Sequence, residues 1–215
     1  QDNPYAIRWT QERFDSTYFD HDTSSFNHEI TVKVSGHYRL NLVIPLDEVS
    51  GSNRRSIRSE IFIHGSAIDI GRAESSYIRD SNDHTGSSLH LNTILPNLSE
   101  NDVIEVRVSK QTNRTGDVVT PGAQLFLEYV APSSKVMVLK GSESTTGTSL
   151  HTSSESSLLW EESVLTNTAF THSTVTNAHE ITLNESGSYR VSVNIPLQDP
   201  SSCPGNNRTS VKALI

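Results

Sequence analysis

Cysteine is almost missing from this chain. The single Cys203 lies in a Pro/Ser/Gly stretch and has no partner for an internal disulfide, so stability must come from a packed core. Its thiol is expected either to stand free in solvent or to bridge to another chain. Basic clusters are missing as well: nothing longer than Arg54-Arg55 occurs and the net charge is -8, which speaks against a nucleic-acid partner. No apolar run approaches the roughly 20 residues of a membrane span, and the first residues lack the basic and apolar regions of a signal peptide. Membrane insertion is therefore not expected, while secretion after processing or release by lysis stays open. No window of helical length carries a 3.6-residue apolar period, so helices are not expected.

Residues 9–46 recur without a gap at 160–197, with 16 of 38 positions identical. The offset of 151 lays Trp9 on Trp160, Phe19 on Phe170, His21 on His172 and His28-Glu29-Ile30-Thr31 on His179-Glu180-Ile181-Thr182. It also lays Ser35-Gly36 on Ser186-Gly187, Tyr38-Arg39 on Tyr189-Arg190 and Ile44-Pro45-Leu46 on Ile195-Pro196-Leu197. The chain thus reads as one module in tandem. We place a first domain at 1–131, a Ser/Thr-rich linker at 132–158 and the N-terminal part of a second domain at 159–215. So few residues bury too little to stand alone, and completion is expected either by later residues, ending near residue 284 by an offset of 154 once a three-residue insertion around Pro200 to Pro204 is allowed, or by another chain.

Strand patterns dominate. In Tyr38 to Leu46 the residues Tyr38, Leu40, Leu42, Ile44 and Leu46 share one face, with Arg39 and Asn41 on the other. Its twin puts Tyr189, Val191, Val193, Ile195 and Leu197 together, so both read as half-buried strands. Further strands are expected at Glu29 to Val34, Ile57 to His64, Ala67 to Ile70, Ser88 to Leu95, Val103 to Val108 and Ala123 to Val130, separated by turn-rich clusters. The fold class that follows is all-β: a two-sheet antiparallel jelly-roll sandwich, in tandem, with the second copy incomplete. The linker is interrupted by Val136-Met137-Val138-Leu139, either an added strand or patch on the first domain or a contact with a neighbouring subunit.

Several motifs occur in a telling order. Gly36-His37-Tyr38 and Gly187-Ser188-Tyr189 open strands, and Ile61-Phe62-Ile63-His64-Gly65 ends one in a small turn. Then come Leu89-His90-Leu91, the turn and strand Leu98 to Val106, and the apolar strand Gln124 to Tyr129. From Ile7 to Val130, and again from Leu159, this order resembles the tumour-necrosis-factor-like jelly roll, including the globular head of the complement first component q. The resemblance implies a homotrimer, although the chain carries no collagen stem and only 7% aromatic residues.

No catalytic constellation is legible. The nucleophile elbow Gly-x-Ser-x-Gly is absent, and His28-Glu29 and His179-Glu180 begin a His-Glu-x-x-His pattern whose fifth position is Val32 or Leu183. Within a strand, adjacent His and Glu point to opposite faces, so this pair is not expected to share a metal. A fold-supporting role or a pH-responsive subunit contact through His28 and His179 is expected instead. Asp80, Asp83 and Asp102 offer loop oxygens of the kind calcium takes, but Asp20 and Asp22 become Thr171 and Ser173 in the second copy. No cofactor is expected beyond that calcium alternative. Trp9 and Trp160 read as core or inter-subunit anchors, with sugar stacking as the alternative. Sequons at Asn97, Asn113, Asn184 and Asn207 are as frequent as chance predicts in so Asn-, Ser- and Thr-rich a chain.

These readings favour a non-enzymatic structural or attachment module of a virion or extracellular assembly, such as a fibre, capsid decoration or filament subunit. Its expected partners are copies of itself, as a trimer or as filament neighbours. A module that recognises a glycan or protein receptor through loops such as Ser81 to Gly86 is the alternative.

Overall fold

The computed structural model describes residues 4–13, 17–48, 56–75, 78, 85–110, 118–120, 122–141 and 157–195. Asp80, Asp83, the Ser81 to Gly86 loop apart from its last two residues, Asn113, Asn207, Cys203 and residues 196–215 lie outside them. Among the described residues there is no helix, and every strand pairing is antiparallel.

The first ten strands are β1 (Tyr5–Ala6), β2 (Phe19–His21), β3 (Glu29–Val32), β4 (Gly36–Glu48), β5 (Ile57–Ile63), β6 (Ser66–Glu74), β7 (Gly86–Leu98), β8 (Val103–Lys110), β9 (Val118–Val119) and β10 (Gln124–Val130). They form two sheets. One has the order β2-β3-β8-β5-β6, with β1 also on β8; the other has β10-β4-β7, with β9 on β4. The chain crosses between the sheets after β3, β4, β6, β7 and β8, so sequence neighbours mostly lie in opposite layers. The result is a jelly-roll sandwich.

The alternation expected in Tyr38 to Leu46 sets the core. Tyr38, Leu40, Leu42, Ile44 and Leu46 are all buried, joined from the same sheet by Leu89, Leu91 and Leu95 of β7. The facing layer supplies Ile30, Val32, Ile57, Ile61, Ile104 and Val106. Burying an aliphatic side chain of this size stabilises by about 1.5–3 kcal/mol before entropy is set against it. Ser59, fully buried between Ile57 and Ile61 on the inward face of β5, has no hydrogen-bond partner for its hydroxyl among the described residues. The β5–β6 hairpin turns on His64 and Gly65, both at positive φ as a two-residue primed turn requires. A Cβ on Gly36 would lie 2.6 Å from the Tyr129 ring, which is why β4 begins with glycine.

Four further strands follow: β11 (Val138–Gly141), β12 (Trp160–Leu165), β13 (Phe170–Thr171) and β14 (Thr182–Leu183). Val138 and Leu139 therefore belong to an added strand, which pairs with β12 at the start of the second copy. Val136 and Met137, just before it, are half-buried.

The second copy rebuilds its local contacts at the same 151-residue offset. β2 pairs with β3 as Phe19↔Val32 and Asp20↔Thr31, and β13 with β14 as Phe170↔Leu183 and Thr171↔Thr182. Trp9 N donates to Asn27 O at 2.7 Å and Trp160 N to Ala178 O at 2.9 Å. The His21 ring meets Asn27 O at 3.3 Å, and the His172 ring meets Ala178 O at 3.2 Å. The Tyr38 hydroxyl donates to Val34 O, and that of Tyr189 to Glu185 O.

The expected strand from Tyr189 to Leu197 is corrected: residues 189–195 form no ladder, and residues 196 and 197 lie outside the description. A half-buried strand needs a neighbour to receive its backbone groups and a layer to cover its apolar face. Among the described residues no strand pairs with Val191 or Val193, and Val191 is 62% exposed where its counterpart Leu40 is fully buried.

Candidate functional site

The outer face of the five-stranded path carries a grid of charge fixed by strand register. With Ile30, Val32, Ile104, Val106, Ile57 and Ile61 turned inward, Glu29 of β3, Glu105 and Arg107 of β8, Arg58, Glu60 and Phe62 of β5 and Arg72 and Glu74 of β6 must face out. One cross-strand row reads Arg107, Glu60, Arg72 and the next Arg58, Glu74. In the last row, Glu29 stands directly opposite Glu105, and Glu105 opposite Phe62.

Arg58 closes on Glu74, Arg72 Nη2 lies 3.2 Å from Glu60, and Arg107 Nη2 lies 2.6 Å from Glu105 Oε2 while its guanidinium stacks 4.2 Å over the Phe62 ring. Three arginines thus serve Glu74, Glu60 and Glu105, while Glu29 has His28 beside it. Two like charges directly opposite each other on neighbouring strands are unfavourable. What stands between them is His28, with Nε2 3.5 Å from Glu29 Oε1 and 3.6 Å from Glu105 Oε1.

This corrects the expectation that His28 and Glu29 diverge. β3 begins only at Glu29, and His28 is the last residue of a turn closed by the bond from Glu29 N to Phe26 O at 2.9 Å. Strand alternation does not govern a turn residue, so the imidazole swings onto the carboxylate side. His179 and Glu180 repeat the arrangement at 3.5 Å behind the matching turn bond from Glu180 N to Asn177 O. Glu105 was not singled out in the sequence. Its role depends on a pairing across more than seventy residues, which no local pattern reveals.

The other expected sites fall elsewhere. Asp102 is engaged within a turn: Oδ1 lies 2.7 Å from His64 Nε2 and Oδ2 accepts from Ser99 N at 2.8 Å. Asp22 Oδ1 accepts from Ser24 N at 2.7 Å and Ser25 N at 3.2 Å. In the copy, Ser173 Oγ accepts from Val175 N at 3.3 Å and Thr176 N at 3.0 Å. The lost carboxylate was therefore a loop cap that a hydroxyl replaces. Hydrogen bonds from the Ser24 hydroxyl, then from the Ser24 and Ser25 amides, hold the Asp22 carboxyl below its ordinary value. Burial pushes the Tyr38 phenol up.

Trp9 is half-buried against the sandwich core, with Nε1 enclosed and without a partner among the described residues, and Trp160 is half-buried in β12. Among the described residues two Ser–His contacts occur, Ser88 with His90 at 2.9 Å and Ser163 with His172 at 3.3 Å. The second does not recur, because Glu12 stands where the copy has Ser163. An aromatic depression lies beside β10, where Tyr18 stacks on Tyr129 at 4.5 Å next to Phe126, 54% exposed, and Pro132. Among the described residues, no helix is long and apolar enough to cross a membrane.

No family model matches the chain, and no curated protein matches its sequence. Among solved structures, the chain is similar to the crystal structure of rabbit GITRL, at 13% identity over 54% of this chain and 78% of that one, with a TM-score of 0.33. A likeness at that level carries no argument about this chain, whose jelly-roll sandwich rests on its own strand order and pairing.

Proposed function

We propose that the chain is a non-enzymatic structural or attachment module, a tumour-necrosis-factor-like jelly roll in a viral or extracellular assembly, that associates with copies of itself through its sandwich faces. One observation carries this reading: the two copies share scaffold contacts, while the Asp22 carboxylate and the Ser163–His172 contact each belong to one copy. The tryptophan amide anchor, the histidine on the loop carbonyl, the tyrosine hook and the hairpin register all recur. Asp22 becomes Ser173 with its capping job intact, and the Ser–His contact at Ser163 has no counterpart. Duplication that keeps the frame while these two features change suits a building block.

Light scattering of the full chain over a range of concentrations tests this, with a trimer or larger species expected. A monomer at every concentration overturns self-association. The depression formed by Tyr18, Tyr129 and Phe126 favours a second reading, a glycan- or receptor-binding module, since open aromatic faces suit sugar rings and apolar side chains. A Phe126→Ala variant that assembles normally but loses retention on immobilised glycans would move the function to that reading.

A further inference from the structure

The geometry points to a metal site for a divalent transition ion, zinc being the natural probe, formed by His28 Nε2, Glu29 Oε1 and Glu105 Oε1. One ligand atom from each of these three residues lies within 4.8 Å of the other two. The two distances from the imidazole nitrogen, 3.5 and 3.6 Å, are too long for hydrogen bonds. They fit another geometry better. Four ligands at about 2.0–2.1 Å around zinc stand about 3.3 Å apart along the edges of the tetrahedron, so the imidazole already holds near-edge spacing to both carboxylates. One side-chain adjustment of Glu29, whose carboxylate is the more exposed of the two, closes the third edge.

Three further facts support a cation rather than a chance encounter. Glu29 and Glu105 are directly opposed across the β3–β8 ladder, a like-charge pairing that an ion between them turns from a cost into a ligand set. The Glu105 side chain is only 9% exposed, so a cation held against its free oxygen is little screened by water. Its second oxygen is held by Arg107 at 2.6 Å, and such an outer hydrogen bond aims a ligating carboxylate. One imidazole and two carboxylates leave a fourth position for water or for a group from another molecule.

Zinc titration of the full chain by calorimetry at neutral pH is the test, with cobalt as a coloured substitute. We expect one saturable site, a rise in melting temperature with zinc and the intense visible bands of tetrahedral cobalt. His28→Ala and Glu29→Gln, both at partly exposed positions outside the core, should each weaken binding by more than about tenfold while circular dichroism stays unchanged. His179→Ala should leave the affinity untouched, because the Glu180 carboxylate is its only acidic neighbour among the described residues. No saturable binding by the wild type, unaltered affinity in the first two variants, or loss in His179→Ala would each overturn the site.

Discussion

Asp22 and Ser173 occupy the same place in the two copies, and each accepts from backbone amides two and three residues on. They differ in what acid does to them. The Asp22 carboxyl is held below its ordinary value by the Ser24 hydroxyl and the Ser24 and Ser25 amides, so its folded pKa lies under the unfolded one. Its contribution is then present above the unfolded carboxylate value and is lost as pH falls through the folded one. A serine there has nothing to protonate. Asp22→Ser should keep the neutral-pH melting temperature near that of the wild type and flatten its fall toward about pH 3. Asp22→Ala should lower it at neutral pH. Thermal melts across that range check both, and a Ser variant as acid-sensitive as the wild type would sink the argument.

At the scale of elements, the outer face of the β3-β8-β5-β6 path depends on charges that neutralise one another across strands. Their worth follows burial. Glu105 is nearly enclosed, so removing Arg107 strands a buried carboxylate, and Arg107→Met should cost about 3 kcal/mol. Arg58→Met leaves Glu74 in a more open place and should cost no more than about 1 kcal/mol. Urea unfolding of the two variants compares them directly; equal costs would mean that Arg107 does not serve Glu105. This grid also marks where the sequence stops being readable. The apolar alternation of Tyr38 to Leu46 announced β4 and its buried face, because one strand facing a core writes its period into neighbouring residues. Glu29 opposite Glu105 is a matter of register between distant strands and leaves no local trace. The two-residue strand β1 and the three-residue β2 carry too few residues for a period, and His28 escaped because a turn bond, not alternation, aims it.

For the whole molecule, burial divides the two copies. Val32, Leu40 and Leu42 are buried in the first, whereas Leu183, Val191 and Val193 in matching positions are open. Amides of Leu40 and Leu42 should exchange with solvent hydrogen only through global unfolding, while those of Val191 and Val193 should exchange close to the unprotected rate. Hydrogen-exchange mass spectrometry resolves the two segments. Comparable protection would show that 189–195 is ordered and covered in solution.

The matched hairpins have one more consequence. Phe170 to Leu183 has the register, the turn bond and the His-Glu-Ile-Thr sequence of Phe19 to Val32, and β8 offers one edge where such a hairpin docks. During folding that edge has two claimants with nearly the same credentials. Ile181 and Leu183 can enter the seats of Ile30 and Val32, yielding a compact impostor that must release before the native arrangement forms, a hazard inherent in tandem repeats. What tips the contest is the shortness of the link: β3 leads into β4 after three residues, so the first hairpin arrives with its own strand already attached.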